Sequence, residues 1–246
     1  MVNLAWNHFG PIPPTERDAV AFAQTFYLKL KEAFPEYVKD FEQKYTAWTD
    51  NWSTPGTVYS PDGLSQLAEY ELLAYLGPKT VPLVVHKLSN PTNFMVTGLY
   101  NHLETDPSAK ISRSDALNFL TLNRQANLIV ELNHERFQRA QVRINAWKAL
   151  FSQQPTSTAI TTTPINDPTS TTSEEHTALI QLGPSIVAQI MLEYKKNHQA
   201  GPPWYRLLHE LVGERPMEVG GEGEDGVVDV QWQWEMWKDW FEKREQ

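Results

Sequence analysis

The stretch "YELLAYLGPKTVPLVVHKL", residues 70–88, decides how this chain is built. Leu72, Leu73 and Leu76 sit at the end of one helical pattern. Gly77 suits a left-handed helix-ending position, and Pro78 suits the first turn of a new helix, where its missing N–H costs nothing. Val81, Val84, Val85 and Leu88 then recur at i, i+3, i+4 and i+7, the apolar stripe of a second helix. The stretch "TALIQLGPSIVAQIMLEY", residues 177–194, repeats the design. There Leu179 and Leu182 precede Gly183-Pro184, and Val187, Ile190, Met191 and Tyr194 form the stripe. The chain therefore carries a tight helix–turn–helix pair twice.

More landmarks follow in the same order. "NFMVTGLYNHLE" (93–104) comes after the first pair and "PPWYRLLHELVGE" (202–214) after the second. "AWKALF" (146–151) and "MWKDWF" (236–241) read as related closing helices. The spacing between copies drifts from about 106 to about 90 residues. Repeats of this kind stack to bury faces that one unit cannot bury alone. The first half holds an extra element. Residues 117–151 contain no Gly or Pro, and Phe137, Ala140, Ile144, Trp147 and Phe151 keep helical spacing. A continuous helix of about 30 residues would span roughly 45 Å and could form a spine between the halves.

Before the first pair, Thr15-Glu16-Arg17-Asp18 reads as a capped helix start. Ala19, Phe22, Ala23, Phe26, Leu30 and Phe34 follow at helical spacing until Pro35 stops the run. A second, short helix carries Tyr37, Phe41, Tyr45 and Trp48. The predicted division is residues 1–64 for N-terminal helices and an aromatic loop, 65–151 for the first half, 152–173 for a Ser/Thr/Pro linker and 174–246 for the second half. The segment 213–229 reads as a loose acidic loop, and "GVVDVQW" (226–232) is the one strand candidate.

Composition narrows the function classes. The 246 residues are 41% hydrophobic, enough for a real core. The formal net charge of −9 is poorly suited to phosphate backbones or anionic membranes. The absence of Cys excludes disulfides, thiolate nucleophiles and thiolate metal sites. The N-terminus has no basic start followed by an apolar run, and no segment approaches the roughly 18 apolar residues of a membrane span. The expectation is a cytoplasmic protein with no membrane partner.

A helix ending in Leu-Gly-Pro, followed by Val81-Pro82-Leu83-Val84-Val85 and Leu88, resembles a HEAT-type helical repeat. The closing Trp237-Lys238-Asp239-Trp240-Phe241 is similar to the Trp-rich ending of some HEAT-like proteins. The whole chain resembles uncharacterised all-helical proteins of filamentous fungi. The likeness covers residues 65–151 and 174–246. Only two pairs are clear and their spacing is long. The expected fold is therefore all-α: a compact, two-lobed helical domain built from an internal duplication of HEAT-like helix pairs.

Few residues carry chemistry. Glu131 and His134 form an E-x-x-H pair on one helix face, as di-iron bundles require, but no second copy exists. The plainer reading is a solvated polar face. His102 and His209 fall at nearly equivalent points of the two copies, beside Glu104 and Glu210. A His with a nearby carboxylate can act as acid or base near neutral pH. It can equally bridge neighbouring helices. His86, beside the apolar stripe, reads as a helix-edge residue. "HELVGE" is not a zincin motif, and no phosphate-binding or nucleophile-elbow motif occurs. No metal and no cofactor is expected. Trp6, Phe9, Trp52 and Tyr59 lie outside the helical stripes and are candidates to line a pocket or an interface.

The leading expectation is a binding or interaction protein, since HEAT-like repeats present a concave face to a partner. The alternative is an enzyme or ligand carrier of fungal specialised metabolism, with a metal-free site from His102, His209, Glu131 and His134 in an aromatic pocket between the lobes. The partner would be another protein or a small apolar molecule. Nucleic-acid binding is disfavoured, with a local basic patch at Arg136, Arg139 and Arg143 as its one support.

Overall fold

The computed structural model describes residues 17–52, 65, 67–111, 119–152, 173–198, 202–213 and 230–243. Trp6, Phe9 and Tyr59, the linker 153–172 and the acidic segment 214–229 lie outside the described residues. Every regular element described is helical, and no strand occurs among them. Two units form, one ending at Glu135 and one beginning at Arg136.

The first unit opens with α1 (Arg17–Ala33) and α2 (Pro35–Trp52). Asp18 lies in the first turn of α1 and Lys31 in the last, each complementing the helix dipole. Ala19, Ala23, Phe26 and Leu30 form its buried face. Phe34 is the whole joint between the helices. Its N–H donates to the Leu30 carbonyl at 2.7 Å, and its carbonyl accepts from Val38 at 3.2 Å. Pro35 then occupies the first position of α2, where proline is tolerated. α2 is longer than the short helix expected from the sequence. It buries Tyr37, Phe41, Tyr45 and Trp48 and extends to Trp52, so Trp52 ends a helix instead of lying in a loop.

α3 (Ala68–Ala74) leads into the Leu-Gly-Pro turn, a 3-10 turn (Pro78–Thr80) and α4 (Val81–Leu88). Gly77 has φ 76° and ψ −175°. The positive φ matches the sequence reading, but the extended ψ does not belong to the left-handed helical region. This conformation is essentially restricted to glycine. The Tyr37 hydroxyl donates to the Lys79 carbonyl at 2.8 Å, tying α2 to the turn. α4 is buried nearly all round. Val81, Pro82, Leu83, Val84, Val85 and Leu88 are inside, and only His86 and Lys87 are half-buried. A helix apolar on all faces is the centre of its unit, not an amphipathic surface helix. α5 (Thr97–Leu103) packs against it.

α6 (Phe119–Ser152) is one continuous helix of 34 residues. Its residues up to Glu135 belong to the first unit and those from Arg136 to the second. The second unit adds α7 (Glu174–Gln181), a 3-10 turn (Pro184–Ile186), α8 (Val187–Lys196), α9 (Pro202–Val212) and α10 (Val230–Glu242). Gly183 has φ 76° and ψ 179°, matching Gly77. Every residue of α8 from Val187 to Tyr194 is buried, so α8 is central as α4 is. Gln189 donates to the Phe137 carbonyl at 3.1 Å and to Gln141 Oε1 at 3.1 Å, anchoring α8 on α6. Val230, Gln231 and Trp232, read from sequence as the end of a strand, begin α10. Trp234, Trp237 and Phe241 turn inward from that helix.

Candidate functional site

Two polar clusters lie inside the first unit. One is closed. Glu104, 1% exposed, caps the end of α5. Its Oε1 accepts from the backbone N–H of Thr105 and Asp106, both at 2.9 Å, and its Oε2 accepts from the Tyr100 hydroxyl at 3.2 Å. Asn133 Nδ2 donates to the Tyr100 oxygen at 3.0 Å and to the Ile129 carbonyl at 2.9 Å. A buried carboxylate needs several donors to be tolerated, and this one has them. The cluster anchors α5 on α6.

The other cluster lies beside open space. Tyr27 of α1 stacks on His86 of α4, with centroids 4.0 Å apart and planes 17° apart. Lys87 Nζ donates to Glu42 Oε2 at 2.6 Å and sits 4.5 Å above the Tyr45 ring centre. Glu42 and Tyr45 are one turn apart on α2, so three helices meet here. Three buried atoms have no hydrogen-bond partner among the described residues: Glu42 Oε1, the Tyr45 hydroxyl and His86 Nδ1. The Tyr27 phenol reaches the Glu42 carboxylate, feeling its charge and hydrogen-bonding to it.

Two hollows flank this cluster. A groove of about 810 Å³ runs between α1 and α2, lined among others by Tyr27, Pro35, Val38, Glu42, Ala47 and Asp50. A polar hollow of about 460 Å³ is lined by Gln24, His86, Lys87, Ser89, Asn90 and Asn93. Most polar groups of that hollow already serve the end of α4. Ser89 Oγ donates to the His86 carbonyl at 2.7 Å, and Asn93 Nδ2 donates to the Lys87 carbonyl at 3.0 Å. In the groove, Lys39 donates to Glu36 Oε2 at 3.2 Å on the exposed side of α2.

Electrostatics fix the protonation states. Burial, then the Lys87 charge, holds His86 below the usual imidazole range, against the opposing pull of Glu42. Burial and the Glu42 carboxylate push the Tyr27 phenol up to about 12. The same causes in the same order raise Tyr45. At neutral pH the two phenols stay protonated and His86 stays neutral. The cluster thus holds a salt-neutralised carboxylate, Glu42, beside two protonated phenols. That set is suited to holding a molecule more than to moving its protons.

The residues singled out from the sequence fall in both units. His102 is exposed on α5 and meets the Tyr70 ring edge at 5.6 Å, while Glu104 two residues on is buried. His134 and Glu131 are half-buried on α6, and the His134 ring lies 5.1 Å from Phe22. His209 belongs to the second unit and packs on Tyr205 and Trp237, at 4.4 Å and 5.3 Å. Glu210 instead faces His176, 3.8 Å from its Nε2. No group of three or more metal-ligating side chains forms among the described residues. Arg136 is buried and Arg143 pairs with Glu175 at 3.0 Å, so these arginines do not make one exposed patch. No described helix is long and apolar enough to cross a membrane.

The second unit holds a related ion pair. Lys148 of α6 donates to Glu193 of α8 at 2.9 Å, and Lys196 donates to its other oxygen at 2.6 Å. Burial would raise the Glu193 carboxyl, but the two lysines outweigh it and hold it low. Comparison with family models, curated proteins and solved structures gives no match to this chain.

Proposed function

We propose that this chain is an internally duplicated, HEAT-like helical-repeat binding protein that takes its ligand in the α1–α2 groove of the first unit. The duplication is supported by a constant register. Val38, Phe41, Tyr70, Leu73, Gly77 and Val81 are each matched 106 residues later by Ile144, Trp147, His176, Leu179, Gly183 and Val187. The ion pairs obey it too. Glu42 and Lys87 become Lys148 and Glu193, the same contact with its charges exchanged. In this register Trp147 answers Phe41 and not Trp237. Helix α6 then closes the first copy with residues up to Glu135 and opens the second from Arg136.

The groove itself carries the binding reading. Its volume falls within the roughly 300–1,000 Å³ usual for ligand sites. Tyr27 is a wall already fixed by its stack on His86, and preorganised walls favour binding. The acid–base alternative names His102, His209, Glu131 and His134, and the histidine rings pack on Tyr70, on Phe22 and, in the second unit, on Tyr205 and Trp237. The fungal setting and the HEAT-like assignment rest on the sequence resemblance.

The test is a fluorescence titration with N-phenyl-1-naphthylamine, an uncharged probe that brightens in apolar sites. The wild-type chain should give a saturable signal. Ala47→Trp, at an exposed position lining the groove, should lose it with little change in melting temperature. Equal signals from both proteins would refute the groove as the site.

A further inference from the structure

We infer that the groove's ligand is an amphipathic helix of a partner protein, laid along α1 and α2 with charged ends that meet Lys31 and Asp50; this rests on reading the groove as the binding site. The lining has the form that a helix fills. Tyr27, Lys31 and Pro35 begin a row that continues in steps of four to Ala47, and a second row runs in steps of four from Val38 to Asp50. The hydrogen bonds through Phe34 keep helical spacing across the joint, so the first row passes from α1 into α2 without a break. Adjacent rows of this kind leave a furrow in which the side-chain ridge of another helix seats. Tyr27, Pro35, Val38 and Ala47 supply its apolar surface.

The second copy carries a helix at the matching place. In the 106-residue register Tyr27 answers to Asn133 and Lys31 to Phe137, and both counterparts are buried. Asn133 Nδ2 donates to the Tyr100 oxygen at 3.0 Å, so α5 lies over that position of α6. In the first copy Tyr27 lines open space and Lys31 is exposed. Charge then says which helix fits. Glu36 pairs with Lys39 at 3.2 Å and Glu42 with Lys87 at 2.6 Å, so the middle of the lining is neutralised. Lys31 and Asp50, on opposite sides of these pairs in the sequence, make no ion pair among the described residues. A helix with an apolar stripe, an acid toward one end and a base toward the other complements this pattern, and such complementarity sets partner and register.

The test is fluorescence anisotropy on the full chain with a fluorescein-labelled model peptide of about 18 residues, long enough for a helix of roughly 27 Å. It carries Leu on one face, Gln and Ala elsewhere, a Glu pair at one end and a Lys pair at the other. A control of equal length has a central proline pair, which breaks the helix. The wild-type chain should bind the helical peptide saturably and about tenfold more tightly than the control. Ala47→Trp should abolish that binding. Lys31→Glu should weaken it about threefold in low salt, and the loss should disappear in about 1 M salt. Equal binding of the two peptides, no binding of either, or binding that ignores Ala47→Trp overturns the inference. The groove reading stands in each case if N-phenyl-1-naphthylamine binds the wild type and not Ala47→Trp, and falls with the inference if that dye ignores the substitution. Self-association of the wild-type chain that Ala47→Trp abolishes would assign the groove to a second copy and overturn the partner helix. Dye binding that strengthens in the Trp6→Ser/Phe9→Ser double variant would assign it to the N-terminal segment, with the same consequence.

Discussion

Tyr27 and His86 stack at 4.0 Å across the α1–α4 contact, and the stack makes folding sensitive to pH. Burial and Lys87 lower the His86 pKa below its ordinary value of 6.5. The unfolded chain therefore binds a proton at higher pH than the folded one. The stability that a neutral His86 provides is complete above about pH 6.5 and is lost as pH falls through the folded value. Melting temperature should drop on acidification from pH 7.5 to 5.5, and His86→Phe should flatten part of that slope.

The phenols act at the other end. Tyr27, raised to about 12, keeps its proton when the unfolded chain has lost it near pH 10. Its contribution is present below pH 10 and fades as pH rises through the folded value. Tyr27→Phe should reduce the alkaline loss of stability, measured by urea titrations at pH 9 and 11.

Two glycines should respond to alanine with opposite signs. At Gly77, φ is 76° with nothing within 4 Å of an added Cβ, so the cost is backbone strain alone. Gly77→Ala should destabilise by about 1–3 kcal/mol. Gly98, exposed in α5 and equally uncrowded, has ordinary helical geometry. Gly98→Ala should stabilise by about 0.5 kcal/mol. Chemical denaturation of both variants reads the difference directly.

The closed cluster around Glu104 should tolerate little. Tyr100→Phe removes an oxygen that donates to Glu104 and accepts from Asn133. A loss of about 1–3 kcal/mol is expected, because buried partners are left unsatisfied. His102→Ala, at an exposed neighbouring position, should change stability by less than about 0.5 kcal/mol.

The exchanged ion pairs give a test of the duplication. Glu42→Lys and Lys87→Glu should each lower stability, since each sets like charges together. The two combined recreate the polarity that Lys148 and Glu193 already use. The reversed pair should recover most of the loss, with a coupling of about 1 kcal/mol. A reversed variant no better than the worse single change would argue against equivalent sites.

The parts of the fold read correctly from sequence were those written along one helix. Gly77-Pro78, Gly183-Pro184 and the Phe137–Trp147 stripe announced turns and a long helix by spacing alone. Burial on every side of α4 was less legible, because His86 and Lys87 made the helix look amphipathic. In "LYNHLE" and "ELNH" the sequence points to the histidines and to a solvated face, but the inward residues are Tyr100, Glu104 and Asn133. Which polar group faces inward depends on a one-residue rotation of each helix, and no pattern in the sequence sets that. The groove cluster was missed because Tyr27, Glu42 and Lys87 come from three helices. Its one clue is Tyr27, a large aromatic off the Ala19–Leu30 buried stripe.

The most direct test is an amide NMR titration of the isotope-labelled chain with N-phenyl-1-naphthylamine. Saturable shifts confined to α1, α2 and the end of α4, centred on Tyr27, Glu42 and Ala47, are the predicted result. Shifts centred on α8–α10 around Tyr194, or none at all, would contradict the account.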